Sequence, residues 1–104
     1  MDAKDIIQTQ VSSHPVVLYM KGSPDFPQCG FSANAVRILL ACGIDQIFAV
    51  DVLQDPAIRQ GIKEFSNWPT IPQLYVNGEF VGGSDIMAEM YQSGELSALV
   101  KPTA

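Results

Sequence analysis

The chain has 104 residues, with six Lys plus Arg against eleven Asp plus Glu and a formal net charge of -5. This length suits one domain, residues 1–104, with one core. The negative charge argues against nucleic acid and anionic lipid surfaces as partners. No apolar run approaches the roughly 20 residues of a membrane span, and the N-terminus lacks the basic start and apolar centre of a signal peptide. We therefore expect a soluble, cytoplasmic protein.

The first part of the chain predicts a helix, a strand and a second helix. Residues 3–13 have helical periodicity, and residues 16–20 form an apolar run typical of a buried strand. Residues 21–28 contain two prolines and a glycine, which predicts a loop. The loop leads into a helix that begins near Cys29 and ends near Gly43, a suitable left-handed cap.

A second strand, at about residues 47–52, and a third helix follow. Asp55 is a favourable N-cap, and the proline after it suits the first helical position, so a helix is expected from there to about Ser66. Two strands joined through a helix run parallel in the same sheet. The first two strands are therefore predicted to be parallel.

The last part of the chain predicts a hairpin and two helices. Residues 73–76 and 79–81 read as strands joined by Asn-Gly at residues 77–78, the strongest short hairpin signal. A helix over residues 84–92 and a short helix after Gly94 complete the chain. This order predicts an α/β fold, a four-stranded mixed sheet flanked by helices, of thioredoxin-like type.

The two cysteines are predicted to have different roles. If one helix separates Cys29 from Cys42, a rise of about 1.5 Å per residue puts them roughly 20 Å apart, beyond the ~7 Å limit for a disulfide. Cys42 follows two leucines and an alanine, so we interpret it as a core residue. Cys29 follows a polar loop and is the candidate reactive thiol.

Residues 29–32, Cys-Gly-Phe-Ser, have the C-x-x-C form with serine in place of the second cysteine. A thiol at a helix N-terminus meets free N–H groups and the positive end of the helix dipole, and both favour the thiolate. Lys21 can add positive charge nearby. Without a cysteine at position 32, a mixed disulfide at Cys29 must be resolved by an external thiol.

Three segments together resemble the monothiol glutaredoxin family. Residues 20–24 (MKGSP) with 29–32 (CGFS) are similar to its thiol motif, residues 67–74 (NWPTIPQL) to its W-P-T-x-P-Q segment, and residues 82–85 (GGSD) to its G-G-x-D turn. The resemblance covers the whole chain in the same order. Many relatives carry cysteine where this chain has Ser84, so a candidate resolving thiol is missing; the serine can still cap the helix.

The resemblance implies that the chain binds glutathione. Lys21 and Arg59 are expected to meet its glycine carboxylate through charge-assisted hydrogen bonds. Ile71 is expected to pair its backbone with the tripeptide's cysteine, beside a cis peptide bond to Pro72. Trp68 is expected to pack beside this segment.

Ser84 and Asp85 are expected to hold the other end of glutathione. Their N–H groups open a helix and can receive the γ-glutamyl carboxylate, while the Asp85 carboxylate pairs with the ammonium group. Simpler interpretations remain open for these charges. Lys21 and Arg59 can be solvated surface residues, and Asp85 can serve only to stabilise the start of a helix.

The resemblance also implies a 2Fe-2S cluster, whose usual ligands are four thiolates. In the family arrangement, two copies of Cys29 and two glutathiones supply them, which makes a homodimer bridged by the cluster. Cluster carriage to iron-sulfur acceptor proteins, with BolA-like proteins as further partners, is the leading hypothesis. A zinc site is not predicted, because one histidine and two separated cysteines cannot form a typical tetrahedral site. The histidine, His14, is expected at the surface.

Two other functions are considered. Cys29 can act as the nucleophile of a glutathione-dependent thiol-disulfide oxidoreductase that reduces mixed disulfides between proteins and glutathione, at most weakly here. Alternatively, the chain is a thioredoxin-like adaptor in which the thiol is incidental. A buried and unreactive Cys29 would favour the adaptor.

Overall fold

A computed structural model describes residues 2–44 and 46–101. In chain order these residues form α1 (Ala3–Ser13), β1 (Val16–Met20), α2 (Gly30–Ala41), β2 (Phe48–Asp51), α3 (Pro56–Ser66), β3 (Gln73–Val76), β4 (Glu79–Gly82), α4 (Ser84–Ser93) and α5 (Glu95–Val100). Each predicted element is present, with its ends at or next to the expected residues. None of the helices in these two ranges has the length and apolar character needed to cross a membrane.

The four strands form one mixed sheet in the order β2-β1-β3-β4. β1 runs parallel to β2, with Val17 beside Phe48, and antiparallel to β3, with Val17 beside Tyr75. β3 and β4 form the predicted hairpin, in which Asn77 (φ 52°) and Gly78 (φ 84°) take the two left-handed conformations of a type I′ turn. The predicted fold class is confirmed.

β1 lies inside the sheet and is buried on both faces. Leu18 and Met20 point into a cluster completed by α2, α4 and α5, whereas Val17 and Tyr19 point into a second cluster with α1 and α3. A strand covered on both faces has no need for alternating polar residues. This explains the uninterrupted apolar sequence of β1.

The ends of α3 are fixed by local capping. The Asp55 side chain accepts hydrogen bonds from the N–H groups of Ala57 and Ile58 at 3.0 and 3.4 Å. At the other end, Asn67 takes a left-handed conformation with φ of 56°. Between these caps Arg59 and Lys63 lie four residues apart, on the same face of the helix.

His14 differs from the expectation of a plain surface residue. Its side chain is half-buried, and its ring stacks on Phe48 with centroids 3.8 Å apart and planes 8° from parallel. The parallel pairing of β1 and β2 brings Phe48 beside Val17, close to the end of α1. This contact arises from sheet pairing, so the local sequence around His14 does not indicate it.

Cys42 is half-buried and packs against the core cluster of α2, α4 and α5. The Ser97 hydroxyl donates a hydrogen bond to its Sγ at 3.5 Å. Both cysteines are free thiols. The position of Cys42 agrees with its interpretation as a core residue.

Gly61 allows α1 and α3 to approach each other closely. It is buried in the middle of α3, and a Cβ atom placed on it would lie 2.8 Å from Ala3 Cβ and 3.4 Å from Ile7 Cδ1. Real side chains do not tolerate the first of these distances, so one helix would have to move. The glycine is therefore required by packing, although it is unfavourable for an isolated helix.

We predict that Gly61→Ala lowers the free energy of unfolding by about 1 kcal/mol, because overpacking, typically costing roughly 1–3 kcal/mol, outweighs the gain of about 1 kcal/mol in helix propensity. The effect of the same substitution should become smaller or reverse in an Ala3→Gly background, where the opposing Cβ is absent. Urea denaturation of the four variants measures this coupling. An equal effect of Gly61→Ala in both backgrounds would contradict the close contact.

Candidate functional site

A cavity of about 420 Å³ opens where β1 ends and where β3, α2 and α4 begin. All six site residues predicted from the sequence line it: Lys21, Cys29, Arg59, Ile71, Ser84 and Asp85. Antiparallel pairing brings the end of β1 and the start of β3 to the same edge of the sheet. The fold thus brings together residues from five separate segments of the chain.

The loop between β1 and α2 is closed at its base by hydrogen bonds. The Lys21 N–H donates to the Ser32 hydroxyl at 3.1 Å, and the Gln28 N–H donates to the Lys21 carbonyl at 2.8 Å. Ser32 is completely buried. These contacts fix the approach of the chain to Cys29, the residue that caps the N-terminus of α2.

The same loop is tied to the end of β2. One oxygen of the Asp51 carboxylate accepts from the N–H groups of Gly22 at 2.9 Å and Leu53 at 3.0 Å. Gly22 has φ of +90°, and a Cβ atom there would lie 2.7 Å from the backbone nitrogen of Gln28. The turn therefore requires glycine. Asp51 could not be predicted from the sequence as part of the site, because its contact with the loop spans 29 positions of the chain.

Cys29 is half-buried and lies in an environment that favours its thiolate. The backbone N–H of Ser32 is the main reason why the pKa of the Cys29 thiol lies below its ordinary value. Partial burial opposes this effect, while the N–H of Phe31 and the charge of Lys21 lower the pKa further. Thiolate stabilisation at the start of α2 was predicted, and its direction is confirmed.

The peptide bond between Ile71 and Pro72 is cis, as expected. Gln73, the first residue of β3, is fully buried, and its Nε2 donates to the carbonyls of Trp68 at 3.0 Å and Thr70 at 3.1 Å. This one side chain thereby connects the loop before β3 to the sheet. Residues 67–74 were identified from the sequence as a family motif, but no role was predicted for Gln73.

Trp68 both packs on the protein and lines the cavity. Its ring lies near Phe80, with centroids 5.9 Å apart, and about two-fifths of the side chain stays exposed. Its backbone N–H donates to the Lys63 carbonyl at 3.2 Å and to the Ser66 hydroxyl at 3.1 Å. The expected packing is present, and the ring also forms part of the pocket wall.

Ser84 and Asp85 lie in the first turn of α4, as expected, but Gly83 is the N-cap. The expectation that the Ser84 side chain caps this helix is wrong. Its Oγ accepts a hydrogen bond from Asn34 Nδ2 at 3.0 Å, which links α4 to α2. Asp85 is exposed at the edge of the cavity.

The cavity is positively charged although the chain is acidic. Lys21, Arg59 and Lys63 line it, and among residues 2–44 and 46–101 Asp85 supplies the one carboxylate of the lining. Three of the six Lys and Arg residues of the chain thus surround one pocket. Lys63 was not among the predicted site residues, although its spacing of one helical turn from Arg59 was a usable signal.

Metal binding by the chain alone is not supported by the arrangement of its side chains. Within residues 2–44 and 46–101, no group of three or more His, Cys, Asp or Glu side chains is placed to hold a metal ion. Cys29 is the cysteine that faces the cavity.

Comparison with known proteins identifies the family. Residues 16–81 match the Glutaredoxin family. The chain is 57% identical over 98 residues to glutaredoxin 4 of Escherichia coli K12, covering 94% of this chain and 84% of that protein. It is also 57% identical over 100 residues to an uncharacterized monothiol glutaredoxin, ycf64-like, of Synechocystis, covering 96% of this chain and 92% of that protein.

A solved structure agrees with these relatives. The solution structure of reduced apo GrxS14 from poplar superposes with a TM-score of 0.82 at 51% identity, covering 94% of this chain and 89% of that one. The sequence matches, the sheet topology and the C-x-x-S motif with its one cysteine at the start of α2 all indicate the same family. The chain belongs to the glutaredoxin family, in its monothiol branch.

Proposed function

We propose that this glutaredoxin binds glutathione beside Cys29 and, as a homodimer, carries a 2Fe-2S cluster to iron-sulfur acceptor proteins, with BolA-like proteins as further partners. One observation carries the proposal: the Cys29 thiol, with a lowered pKa, lies in a cationic pocket whose lining has no second cysteine among the described residues. A thiolate in this position can ligate iron. The remaining ligands must enter the pocket from outside.

The charges of the pocket suit glutathione, which has two carboxylates, one ammonium group and one thiol. Lys21, Arg59 and Lys63 offer cations to its glycine carboxylate, and Asp85 offers a carboxylate to its ammonium group. A volume of about 420 Å³ is in the usual range for small-molecule sites. The cations and the carboxylate of the pocket complement the carboxylates and the ammonium group of the tripeptide.

The middle of the tripeptide has a backbone partner in Ile71. Ile71 is nearly buried, and it is one of the residues that line the pocket. Among the described residues, no turn or loop hydrogen bond involves the Ile71 N–H or carbonyl. Both groups are therefore available for strand-like pairing with a peptide ligand.

The homodimer follows from the number of thiolates. A 2Fe-2S cluster usually has four thiolate ligands, and each chain offers only Cys29, because Cys42 packs against the core. Two chains and two bound glutathiones supply four sulfur ligands. The cluster is then the cargo that joins the two copies.

A second function, reduction of mixed disulfides between proteins and glutathione, is favoured by the lowered pKa of Cys29. The Cys29 thiolate attacks the glutathione sulfur, the protein thiolate leaves, and a disulfide between Cys29 and glutathione forms. A second glutathione thiolate then attacks this disulfide, which releases oxidised glutathione and regenerates the Cys29 thiolate. With serine at positions 32 and 84, resolution depends on free glutathione, so we expect slow turnover.

We predict that Cys29→Ser abolishes both cluster binding and mixed-disulfide reduction, because it removes the thiolate of the pocket. Cys42→Ser is the matched control and should leave both nearly intact, since Cys42 packs against the core. Visible absorbance after anaerobic reconstitution with iron, sulfide and glutathione measures the first activity, and a glutathionylated peptide measures the second. Cluster binding that survives in Cys29→Ser and is lost in Cys42→Ser would reverse the two assignments.

Joint replacement of Lys21 and Arg59 by Gln should weaken glutathione binding by up to a few kcal/mol, since each charged hydrogen bond is worth roughly 1.5–3 kcal/mol. The control is the joint replacement of Lys4 and Arg37 by Gln, which removes the same charges outside the pocket. Calorimetric titration with glutathione compares the two variants. Equal affinities would assign Lys21 and Arg59 to the solvated surface.

Cluster loading and dimerisation should occur together and only with glutathione. Sedimentation of protein reconstituted with glutathione should show an iron-containing dimer, and protein reconstituted with an analogue that lacks the thiol should stay monomeric and iron-free. The analogue should nevertheless compete with glutathione, because it keeps the carboxylates and the ammonium group. An iron-loaded monomer, or a loaded dimer without any added thiol, would refute the four-thiolate bridge.

A further inference from the structure

Gln73 occupies a position where an amide side chain is unusual. It is the first residue of β3, lies beside Tyr19 of the central strand, and has no exposed surface. Its Nε2 donates to two backbone carbonyls, those of Trp68 and Thr70. Since both partners are acceptors only, the orientation of the amide is determined by its contacts.

The other amide atom of Gln73 shows that this arrangement has a cost. Gln73 Oε1 is buried and has no hydrogen-bond partner among the described residues. A buried acceptor without a partner is unfavourable, and an apolar side chain of the same size would avoid the penalty. The benefit of the amide must therefore come from its Nε2, which contacts only the loop before β3 in these residues.

The loop held by Gln73 forms one wall of the glutathione pocket. Residues 68–72 all line the cavity. At its first residue the loop is tied to α3, because the Trp68 N–H donates to Lys63 and Ser66. Among the described residues, Gln73 Nε2 is the side-chain donor to the backbone carbonyls of this loop. It donates to the carbonyls of Trp68 and Thr70, the residues before and after Pro69.

We propose that Gln73 is a positioning residue that holds the loop of residues 68–72, and with it the Ile71 backbone and the Trp68 ring, in the conformation that receives glutathione. Gln73 itself does not line the pocket, so it acts through the loop. The part of the inference that concerns ligand affinity rests on the proposed function. The part that concerns the loop does not depend on any ligand.

Trp68 makes the loop directly observable, because it is the only tryptophan of the chain. The test variant is Gln73→Met, which keeps an unbranched side chain of similar size but removes the donors. Without glutathione, we expect its tryptophan emission to shift to longer wavelength and acrylamide quenching to increase. Calorimetry should show glutathione affinity reduced by about tenfold, a loss of the size expected for one or two hydrogen bonds.

Two further variants make the result specific. Gln92→Met is the control, since it makes the same change at an exposed residue of α4 that does not line the pocket. It should match the original protein in emission, quenching and affinity. Gln73→Asn keeps the amide but shortens its reach by one methylene group, so it should reproduce the changes of Gln73→Met and provides the test if that variant does not fold.

The outcomes separate this inference from the proposed function. Original emission and quenching in folded Gln73→Met and Gln73→Asn would refute the loop contact. A changed tryptophan signal with unchanged glutathione affinity would refute the role in positioning the pocket. Failure of the unsubstituted protein to bind glutathione would overturn the proposed function and the affinity part of this inference, while the tryptophan signal would still decide the loop part.

Discussion

A partly buried hydrogen bond from the Lys21 N–H to the Ser32 hydroxyl joins the end of β1 to the first turn of α2. The loop between these elements starts and finishes at this contact, so Cys29 is held where the backbone N–H groups of α2 and the Lys21 charge can stabilise its thiolate. Serine at position 32 is therefore more than a missing second cysteine. The Ser32 hydroxyl also closes the loop that leads to Cys29, and the Cys29 thiol lines the pocket.

The helices and strands were predictable because local signals mark their ends. Asp55 caps α3, and Asn-Gly at residues 77–78 fixes the hairpin. The resemblance to glutaredoxins then indicated which chain segments meet, and the six predicted residues do line one cavity. Contacts between distant segments had no such signal: Asp51 accepts from Gly22, 29 positions away, and Asn34 donates to Ser84, 50 positions away. In the sequence, Asp51, Asn34 and Ser84 look like ordinary polar residues, and only the completed fold brings each beside its partner.

Charge is distributed unevenly in this acidic chain. Its net charge of -5 opposes a general attraction of anions, yet half of its Lys and Arg residues surround the thiol pocket, where Asp85 is the one carboxylate that the described part of the chain contributes. Charges beyond about 10 Å are largely screened at 0.1 M salt, so a small anion inside the pocket responds mainly to the local cations. An anionic peptide such as glutathione can then be bound locally by a protein that repels large polyanions such as nucleic acid.

Both proposed activities take their second sulfur from glutathione, for the same structural reason. Three side chains of similar chemistry to a resolving thiol each make a different contact. The Ser32 hydroxyl closes the loop before α2, the Ser84 hydroxyl accepts a hydrogen bond from Asn34, and Cys42 packs against the core. A mixed disulfide at Cys29 can therefore be reduced only after a free thiol diffuses into the pocket. Iron ligation by Cys29 needs only a neighbouring thiolate, and that of bound glutathione is already present in the proposed complex. The pocket can hold that thiolate through the carboxylates and the ammonium group of glutathione, leaving the sulfur free for iron. This asymmetry favours cluster carriage over rapid disulfide turnover.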